Sequence, residues 1–473
     1  MSYPFGPNPP LSGSSFLREG WEDDEGADLS LDVPVTRWDA RRMAFYAAPG
    51  ITWWDANPYA VVTTSAAVLG TFGMCQNNAW YAGALGDRVY AVYADDSSDH
   101  FVHLVSRPKG GAYAGDWLPV HTTSAGSREE RTTSASIGYP CLAVRRLPSG
   151  RPVTALAWRG TGDEMWACHR GTDSSSGATW EEVDVTALGG ISGATHCCLA
   201  MDDAYNTWLV FAASDGTNQI IFLSVRPVGG TWSTPTAVNT AAAYGAYGYD
   251  DSDFPTIAVS GQDDPNGPTV LVVWRVLYAG GSSPPKRVLG KSMRVAAMVG
   301  WDISGAAEVD IGGTDECRDP CVAATHDSTF VVAYASPNSS ATIRARSVVD
   351  PVAGSWSGEV EVAPVDAKRQ DSQGIQNFPS LSIDGESGLV LVCWEDKAPS
   401  STDFTTPFGA YAPLADLATW TPLGNLTDRP VSTSAADAMG YPCVIATAGR
   451  PRVFYRTPDG TGAVLLSRVG TWI

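Results

Sequence analysis

Short apolar runs, rich in β-branched and aromatic residues, recur along this chain between turns that contain Gly, Pro, Ser or Asp. Their apolar positions do not follow the 3.6-residue period of a helix, so the pattern predicts β-strands. The more openly alternating runs are predicted to be third strands of a repeated unit: 100–107, 219–226, 341–347 and 463–468. The most apolar runs are predicted to be its second strands: 88–94, 152–158, 207–213, 269–275, 329–335, 388–394 and 451–455.

A first strand is predicted before each of these apolar runs, and several begin with an aromatic residue and a proline, as in Phe254-Pro255 and Phe378-Pro379. Proline suits the first residue of a strand because no ladder donor is lost there. The position after it carries a small side chain, which we expect to face a crowded centre. The small residues are Cys141, Cys198, Thr256, Cys321, Ser380 and Cys443.

Seven tryptophans, each next to a Gly-containing or small-residue turn, are predicted to open the outer strand of each unit. Their spacings are 63, 52, 69, 55, 64 and 52 residues, the length of one four-stranded blade with its loops. The sequence therefore predicts an all-β fold, a seven-bladed β-propeller of four-stranded antiparallel blades. The tryptophans are Trp117, Trp180, Trp232, Trp301, Trp356, Trp420 and Trp472.

The last blade ends too soon after Trp472 for a full outer strand. The segment 60–66 resembles 119–125, the outer strand of the first complete blade, so an N-terminal strand is predicted to close the ring. This divides the chain into an N-terminal arm, 1–58, and a propeller, 59–473. Because the arm carries several tryptophans, we expect it to pack either on its own propeller or on a neighbouring protein.

Charge and composition narrow the function classes. The 31 basic and 51 acidic residues give a net charge of −20, which argues against nucleic acid and membrane as partners. No signal sequence and no long apolar span is found, so neither secretion nor membrane insertion is expected. The nine cysteines lack zinc spacing and are interpreted as buried free thiols of a protein made in a reducing cytoplasm.

Acidic residues cluster in the loops that precede the first strands, on the face where most propeller ligands bind. Carboxylates from neighbouring loops could bind calcium or sugar hydroxyls, or could only cap turns. No other cofactor is predicted, and no catalytic pair can be chosen among so many acids. The predicted ligand-binding residues are Asp250, Asp251, Asp253, Asp315, Asp319 and Asp371.

The segment 173–180, Asp-Ser-Ser-Ser-Gly-Ala-Thr-Trp, resembles the Asp-box of sialidase-like propellers, whose pattern is Ser-x-Asp-x-Gly-x-Thr-Trp. Asp173 stands where that family has serine, and Ser175 replaces its central aspartate. The resemblance implies the propeller fold. A sialidase would also have an Arg-Ile-Pro segment, an arginine triad for the substrate carboxylate and a Tyr/Glu nucleophile pair. The chain has no Arg-Ile-Pro and no recognisable triad order.

The chain also resembles the sialidase-like propellers found in bacteriophage tails and fibres. That resemblance implies a virion protein made in the bacterial host cytoplasm, with the arm contacting other virion proteins. Three functions stay open. The propeller could bind a host-surface glycan or a neighbouring virion protein without catalysis, could be a glycoside hydrolase or lyase for bacterial surface polysaccharide, or could be a purely structural decoration.

Overall fold

The structure, a computed structural model, describes most of the chain between residues 51 and 472. Residues 1–50 lie outside the described part. The described ranges are 51–53, 59–60, 79–82, 88–94, 101–108, 118–119, 132, 134–147, 152–170, 180–239, 249–278, 286–312, 317–336, 342–362, 375–384, 387–397, 405–426, 440–445, 451–458 and 463–472.

Six consecutive four-stranded antiparallel sheets follow one another along the chain, and each is one blade. Strands are numbered through the whole chain. The first two strands belong to blade 7, so blade 1 holds β3 to β6. In blades 1 to 3 the strands are β3 Ala79–Ala82, β4 Arg88–Ala94, β5 Val102–Pro108, β6 Leu118–Pro119, β7 Ser136–Arg146, β8 Pro152–Gly160, β9 Met165–Arg170, β10 Glu181–Asp184, β11 Cys197–Met201, β12 Thr207–Ser214, β13 Gln219–Arg226 and β14 Thr236–Ala237.

Blades 4 to 6 repeat the same order of four strands. Their strands are β15 Tyr249–Val259, β16 Thr269–Tyr278, β17 Lys286–Arg294, β18 Glu308–Asp310, β19 Arg318–Ala324, β20 Thr329–Ser336, β21 Thr342–Val349, β22 Val360–Glu361, β23 Ile375–Asp384, β24 Leu389–Lys397, β25 Thr405–Pro413 and β26 Thr421–Asn425.

Blade 7 is closed by the other end of the chain. Its own strands are β27 Gly440–Ile445, β28 Arg452–Pro458 and β29 Ala463–Trp472, and two N-terminal strands, β1 Ile51–Trp53 and β2 Tyr59–Ala60, pair with β29. That an N-terminal strand closes the ring is confirmed, and of the predicted stretch 60–66 only Ala60 lies within the described residues. The pairing begins at Ile51 opposite Trp472, inside the stretch assigned to the arm. Trp472 therefore ends a third strand instead of opening an outer one.

The first strands of the seven blades form a closed ring, because each contacts the first strand of the next blade and β27 contacts β3. The seven-bladed all-β architecture is thus as predicted. Only one short α-helix, α1 Val185–Gly189, and one 3₁₀ helix, Val295–Ala297, interrupt the strands of the described ranges. No helix in this part of the chain is long and apolar enough to cross a membrane.

The hydrophobic core lies between the blades. Six clusters of buried side chains each join residues of two successive blades, from the pair 1 and 2 to the pair 6 and 7. The second strands supply the largest rings, and Trp158, Trp274 and Trp394 are fully buried at one repeat position. Burying one such ring contributes about 3 kcal/mol, so the blades stabilise one another through their faces.

The predicted small-residue position is buried in all six repeats where it was assigned. It keeps the same register to the second strand, as in Cys141 opposite Ala157 and Thr256 opposite Val273. In blades 3 and 4 these side chains meet across the interface, with Cys198 Sγ 3.9 Å from Thr256 Oγ1. The eight cysteines that the structure describes are all buried free thiols, as predicted.

The two faces of the ring are called here the upper face, where the first strands begin, and the lower face, where they turn into the second strands. On the lower face, Asp203 joins turns of several blades. Its carboxylate lies 3.2 Å from Arg145 Nη1 and 3.3 Å from His326 Nδ1, and it accepts the Gln262 N–H at 2.9 Å. One carboxylate therefore links blades 2, 3, 4 and 5.

Candidate functional site on the upper face

Three successive blades begin their first strands with the same backbone distortion. In blades 4, 5 and 6 the residue before proline has a positive φ: 49° at Phe254, 52° at Asp319 and 49° at Phe378. Each lies in a register shift against the second strand. A positive φ is unfavourable for these residues and costs roughly 1–3 kcal/mol where it occurs. Its repetition at one position identifies the upper face near the axis as a candidate functional site.

Arg275 connects two carboxylates from neighbouring blades at this position. It follows Trp274 in β16, directly opposite Asp253 in the sheet. Its Nη2 lies 3.3 Å from Asp253 Oδ2, and its Nη1 lies 3.2 Å from Asp319 Oδ1 of blade 5. The exposed fractions of these side chains are only 13% for Arg275, 14% for Asp253 and 6% for Asp319. The pairing is therefore a largely buried link between blades 4 and 5.

Blade 3 adds a histidine to the same carboxylate. His196 Nδ1 donates to Asp253 Oδ1 at 2.5 Å, and the backbone N–H of Phe254 donates to the same oxygen at 2.8 Å. Burial raises the pKa of Asp253, but His196, Arg275 and the Phe254 N–H together outweigh it, so the pKa lies below its usual value. Asp253 is therefore a permanent anion at neutral pH, unable to donate a proton.

Aromatic rings cover this cluster of charges. The Phe254 ring centroid lies 4.0 Å from the His196 ring centroid and 4.0 Å from Arg275 Cζ. Phe378 of blade 6 lies next to it, with the two phenyl centroids 6.5 Å apart. Both phenylalanines are partly exposed. The upper face thus presents apolar rings beside hydrogen-bonded charged groups, a composition typical of small-molecule binding sites.

A chain of hydrogen bonds runs from the cluster to solvent. Thr195 Oγ1 donates to Asp253 Oδ1 at 3.4 Å and accepts Gln219 Nε2 at 2.6 Å. The backbone N–H of Gln219 then donates to Asp251 Oδ1 at 3.2 Å. Asp251 is exposed, whereas Asp253 is largely buried. The outer end of the chain is therefore a carboxylate that faces water.

The structure brings two of the predicted ligand-binding residues together. Asp253 and Asp319 share Arg275, and Asp251 lies at the solvent end of the hydrogen-bond chain. For Asp250 the structure describes only the backbone, in β15, and Asp315 and Asp371 lie outside the described ranges. Within those ranges no three His, Cys, Asp or Glu side chains come together as a metal site. Calcium binding stays a prediction.

The sequence interpretation missed four members of the cluster: His196, Phe254, Arg275 and Phe378. Three of them, with Asp319, occupy the position just before the Pro or Cys that opens each first strand. Aligning the repeats by their small-residue position would have predicted that the residues just before the Pro or Cys of each blade lie close together near the axis. Arg275 carried a weaker signal, because its partner Asp319 is 44 residues away.

Comparison with known proteins supports the fold. No protein-family model matches the chain, and no curated protein matches it. The BP39L lectin from Burkholderia pseudomallei is 13% identical, with a TM-score of 0.51 over 84% of this chain and 97% of that one. A PL25 ulvan lyase is 10% identical, with a TM-score of 0.48 over 88% and 93% of the two chains. The Trypanosoma rangeli sialidase is 10% identical, with a TM-score of 0.41 over 74% and 57%.

Proposed function

We propose that this protein is a non-enzymatic carbohydrate-binding propeller and that its site is the upper-face cluster. The observation that carries the proposal is the pair of partly exposed rings, Phe254 and Phe378, beside the bridged charges of Asp253, Arg275 and Asp319. The apolar face of a sugar ring packs on an aromatic ring, while its hydroxyls hydrogen-bond to fixed polar groups. The BP39L neighbour is named a lectin, but at 13% identity only the fold is shared.

The lowered pKa of Asp253 argues against this carboxylate as the acid of a hydrolase. A glycosidase acid must hold a proton near neutral pH, which requires a raised pKa. Asp253 does not meet this requirement, because its pKa is lowered. Its carboxylate is thus suited to accept hydrogen bonds from hydroxyl groups.

A hydrolase or lyase is the second candidate, and His196 is the observation that favours it. A histidine whose Nδ1 donates to a carboxylate has the arrangement of an oriented general base. An enzyme of this kind would release reducing or unsaturated ends from the polysaccharide that it binds.

The experiment incubates the full chain with bacterial capsular and cell-wall polysaccharides, and measures bound protein and newly formed chain ends together. We expect binding without new ends, and a loss of at least about tenfold in affinity for Phe254→Ala, because the stacking surface is removed. The matched control is Phe222→Leu, which changes a phenylalanine of blade 3 away from this cluster. New chain ends that disappear in His196→Gln would support the enzyme instead. If the chain binds none of the polysaccharides, the remaining alternative is a purely structural decoration.

The setting that we propose is a bacteriophage tail or fibre, assembled in the host cytoplasm. There the chain N-terminal to the closing strand would contact other virion proteins, and the propeller would face a host-surface glycan or a further virion protein. The acidic composition, with 51 acidic and 31 basic residues, supports protein and glycan partners over nucleic acid or membrane. Mass spectrometry of purified particles tests this setting, and consistent absence of the chain from particles would contradict it.

A further inference from the structure

Arg275 is the arginine of the upper-face cluster, and both terminal nitrogens of its guanidinium are already engaged. Its two terminal nitrogens face Asp253 and Asp319, and Phe254 covers its plane at 4.0 Å. Only 13% of the side chain is exposed. A carboxylate or sulfate on a ligand would have to displace one of these aspartates, which would then lie buried without its cation.

Two further arginines near the same face also lie beside protein carboxylates, in looser or more exposed contacts than Arg275. Arg159 occupies in blade 2 the register position of Arg275, and its Nη2 lies 2.5 Å from Asp163 Oδ1. Arg318, just before Asp319, lies 3.9 Å from that carboxylate. In blade 7 the corresponding residue is Arg456, whose side chain is outside the described set. Each of the three described guanidinium groups therefore already faces a protein carboxylate.

The exposed charged group that the structure describes next to this cluster is a carboxylate. Asp251 is exposed at the outer end of the hydrogen-bond chain, and the chain as a whole has a net charge of −20. His196 directs its Nδ1 at Asp253, so this ring nitrogen is also engaged. Among the residues of this face that the structure describes, an anionic ligand therefore meets Asp251 and finds the terminal nitrogens of Arg275 already paired.

We propose that the upper-face site selects neutral sugars and rejects sugars that carry a carboxylate or sulfate group. This inference rests on the proposed carbohydrate-binding function and adds the class of ligand. Hydroxyl groups can donate to Asp253 Oδ2 and to Asp319 Oδ1 without breaking their pairing, since each of these oxygens accepts one Arg275 N–H and has a second lone pair. The C–H face of a neutral pyranose can meanwhile lie on Phe254. Asp319, which belongs to the neighbouring blade, determines the preference for neutral sugars because it pairs with Nη1 of Arg275 and so keeps an anionic ligand from doing so.

The test titrates the full chain with matched pairs of methyl pyranosides that differ only at C6. The probes are methyl glucoside against methyl glucuronide, methyl galactoside against methyl galacturonide, and methyl mannoside against methyl mannuronide, measured by calorimetry or ligand-observed NMR. In at least one pair we expect the neutral sugar to bind at least about tenfold more tightly than its uronide, as expected when a like charge is placed a few ångströms away.

Asp319→Asn is expected to lower this ratio to about threefold or less by improving uronide binding, since it frees one end of Arg275 at nearly constant shape. Asp319→Glu keeps the charge and is expected to keep the preference for the neutral sugar. The matched control is Asp310→Asn, which breaks the Arg287–Asp310 pair, 3.1 Å apart, at the outer edge of blade 4. This control is expected to leave the ratio unchanged.

The wild-type ratio tests the inference even if Asp319→Asn does not fold. If the uronide binds as tightly as its neutral partner in every pair that binds, the selection of neutral sugars is overturned while carbohydrate binding is left intact. If polysaccharides bind but Asp319→Asn and Asp310→Asn change the ratio equally, the assignment to Asp319 is wrong. If wild-type protein binds neither member of any pair nor any polysaccharide, the proposed function and the inference fail together.

Discussion

The two faces of the ring carry the same three residue types in the same kind of contact, at very different depths. On the upper face, His196 and Arg275 contact Asp253, and on the lower face His326 and Arg145 contact Asp203. The upper side chains are 11%, 13% and 14% exposed, whereas the lower ones are 59%, 28% and 23% exposed. Both clusters join neighbouring blades. Only the upper one is shielded from water.

This difference in burial gives the two clusters different roles. The upper cluster is a candidate binding site, whereas the lower cluster only links neighbouring blades. The lower contact is screened by solvent, so it contributes little to stability and leaves its groups free to exchange with water. The upper contact holds charges at fixed positions beneath partly exposed aromatic rings, where breaking it leaves a buried ion. Identical residue types thus have different consequences because the fold buries one set and exposes the other.

The sharpest test of the comparison removes the arginine from each cluster. Arg275→Met leaves Asp253 and Asp319 buried beside each other without their shared cation, so we expect the free energy of unfolding to fall by about 3–5 kcal/mol. Arg145→Met removes a partly exposed partner of Asp203, and the expected loss is below about 1 kcal/mol. Urea unfolding followed by tryptophan fluorescence measures both. Equal losses would contradict the distinction between the two faces.

A second test changes the lower face by sterics instead of charge. His326 reaches Asp203 across Gly261, where an added Cβ would lie 2.1 Å from His326 Nδ1 and 2.8 Å from its Cα. Gly261→Ala must push this backbone away, and we expect a loss of about 1–3 kcal/mol. Gly305→Ala, where no atom lies within 4 Å of the added Cβ, is the control and should stay within about 0.5 kcal/mol. If Gly261→Ala leaves the free energy of unfolding unchanged, His326 does not lie against Gly261 as described.

The smallest expected effect is a pH dependence of the lower contact. The hydrogen bond from His326 and the charge of Arg145 outweigh burial and lower the pKa of Asp203 to about 2, and Asp203 in turn raises the pKa of His326 above 6.5. Asp203 contributes stability above pH 3.8, which is lost as the pH falls towards 2. His326 contributes below pH 6.5, and this is lost as the pH rises through its raised pKa.

A double-mutant cycle with Asp203→Asn and His326→Gln measures this coupling. We expect a value below about 1 kcal/mol near pH 5.5 that shrinks near pH 9, because His326 is mostly exposed. Arg145 and Asp263 also face His326, so Asp263→Asn serves as the control for their background charge. A coupling that grows towards pH 9 would contradict the assigned direction of the shift.

Much of the fold was predictable because each blade repeats the same local chemistry. The small-residue position, from Cys141 in blade 2 to Cys443 in blade 7, is buried as expected, and the closing strand pairs with the last strand as predicted. The outer strands were placed less well. In blade 4 the outer strand begins at Glu308, several residues after Trp301, because a turn in which the Ala306 N–H donates to the Ile303 carbonyl comes first. Turn geometry of this kind leaves little trace in apolar periodicity.

The sequence by itself determined the blades, since alternating apolar strands and the repeated tryptophans can be satisfied only by packing like units against one another. It also indicated the face on which acidic residues gather. Only the tertiary structure decided which of those acids belong to a site. His196 and Asp253 are 57 residues apart, and Arg275 and Asp319 are 44 apart. Closing the ring brings neighbouring blades together, and the resulting burial decides which charges pair and which stay in water.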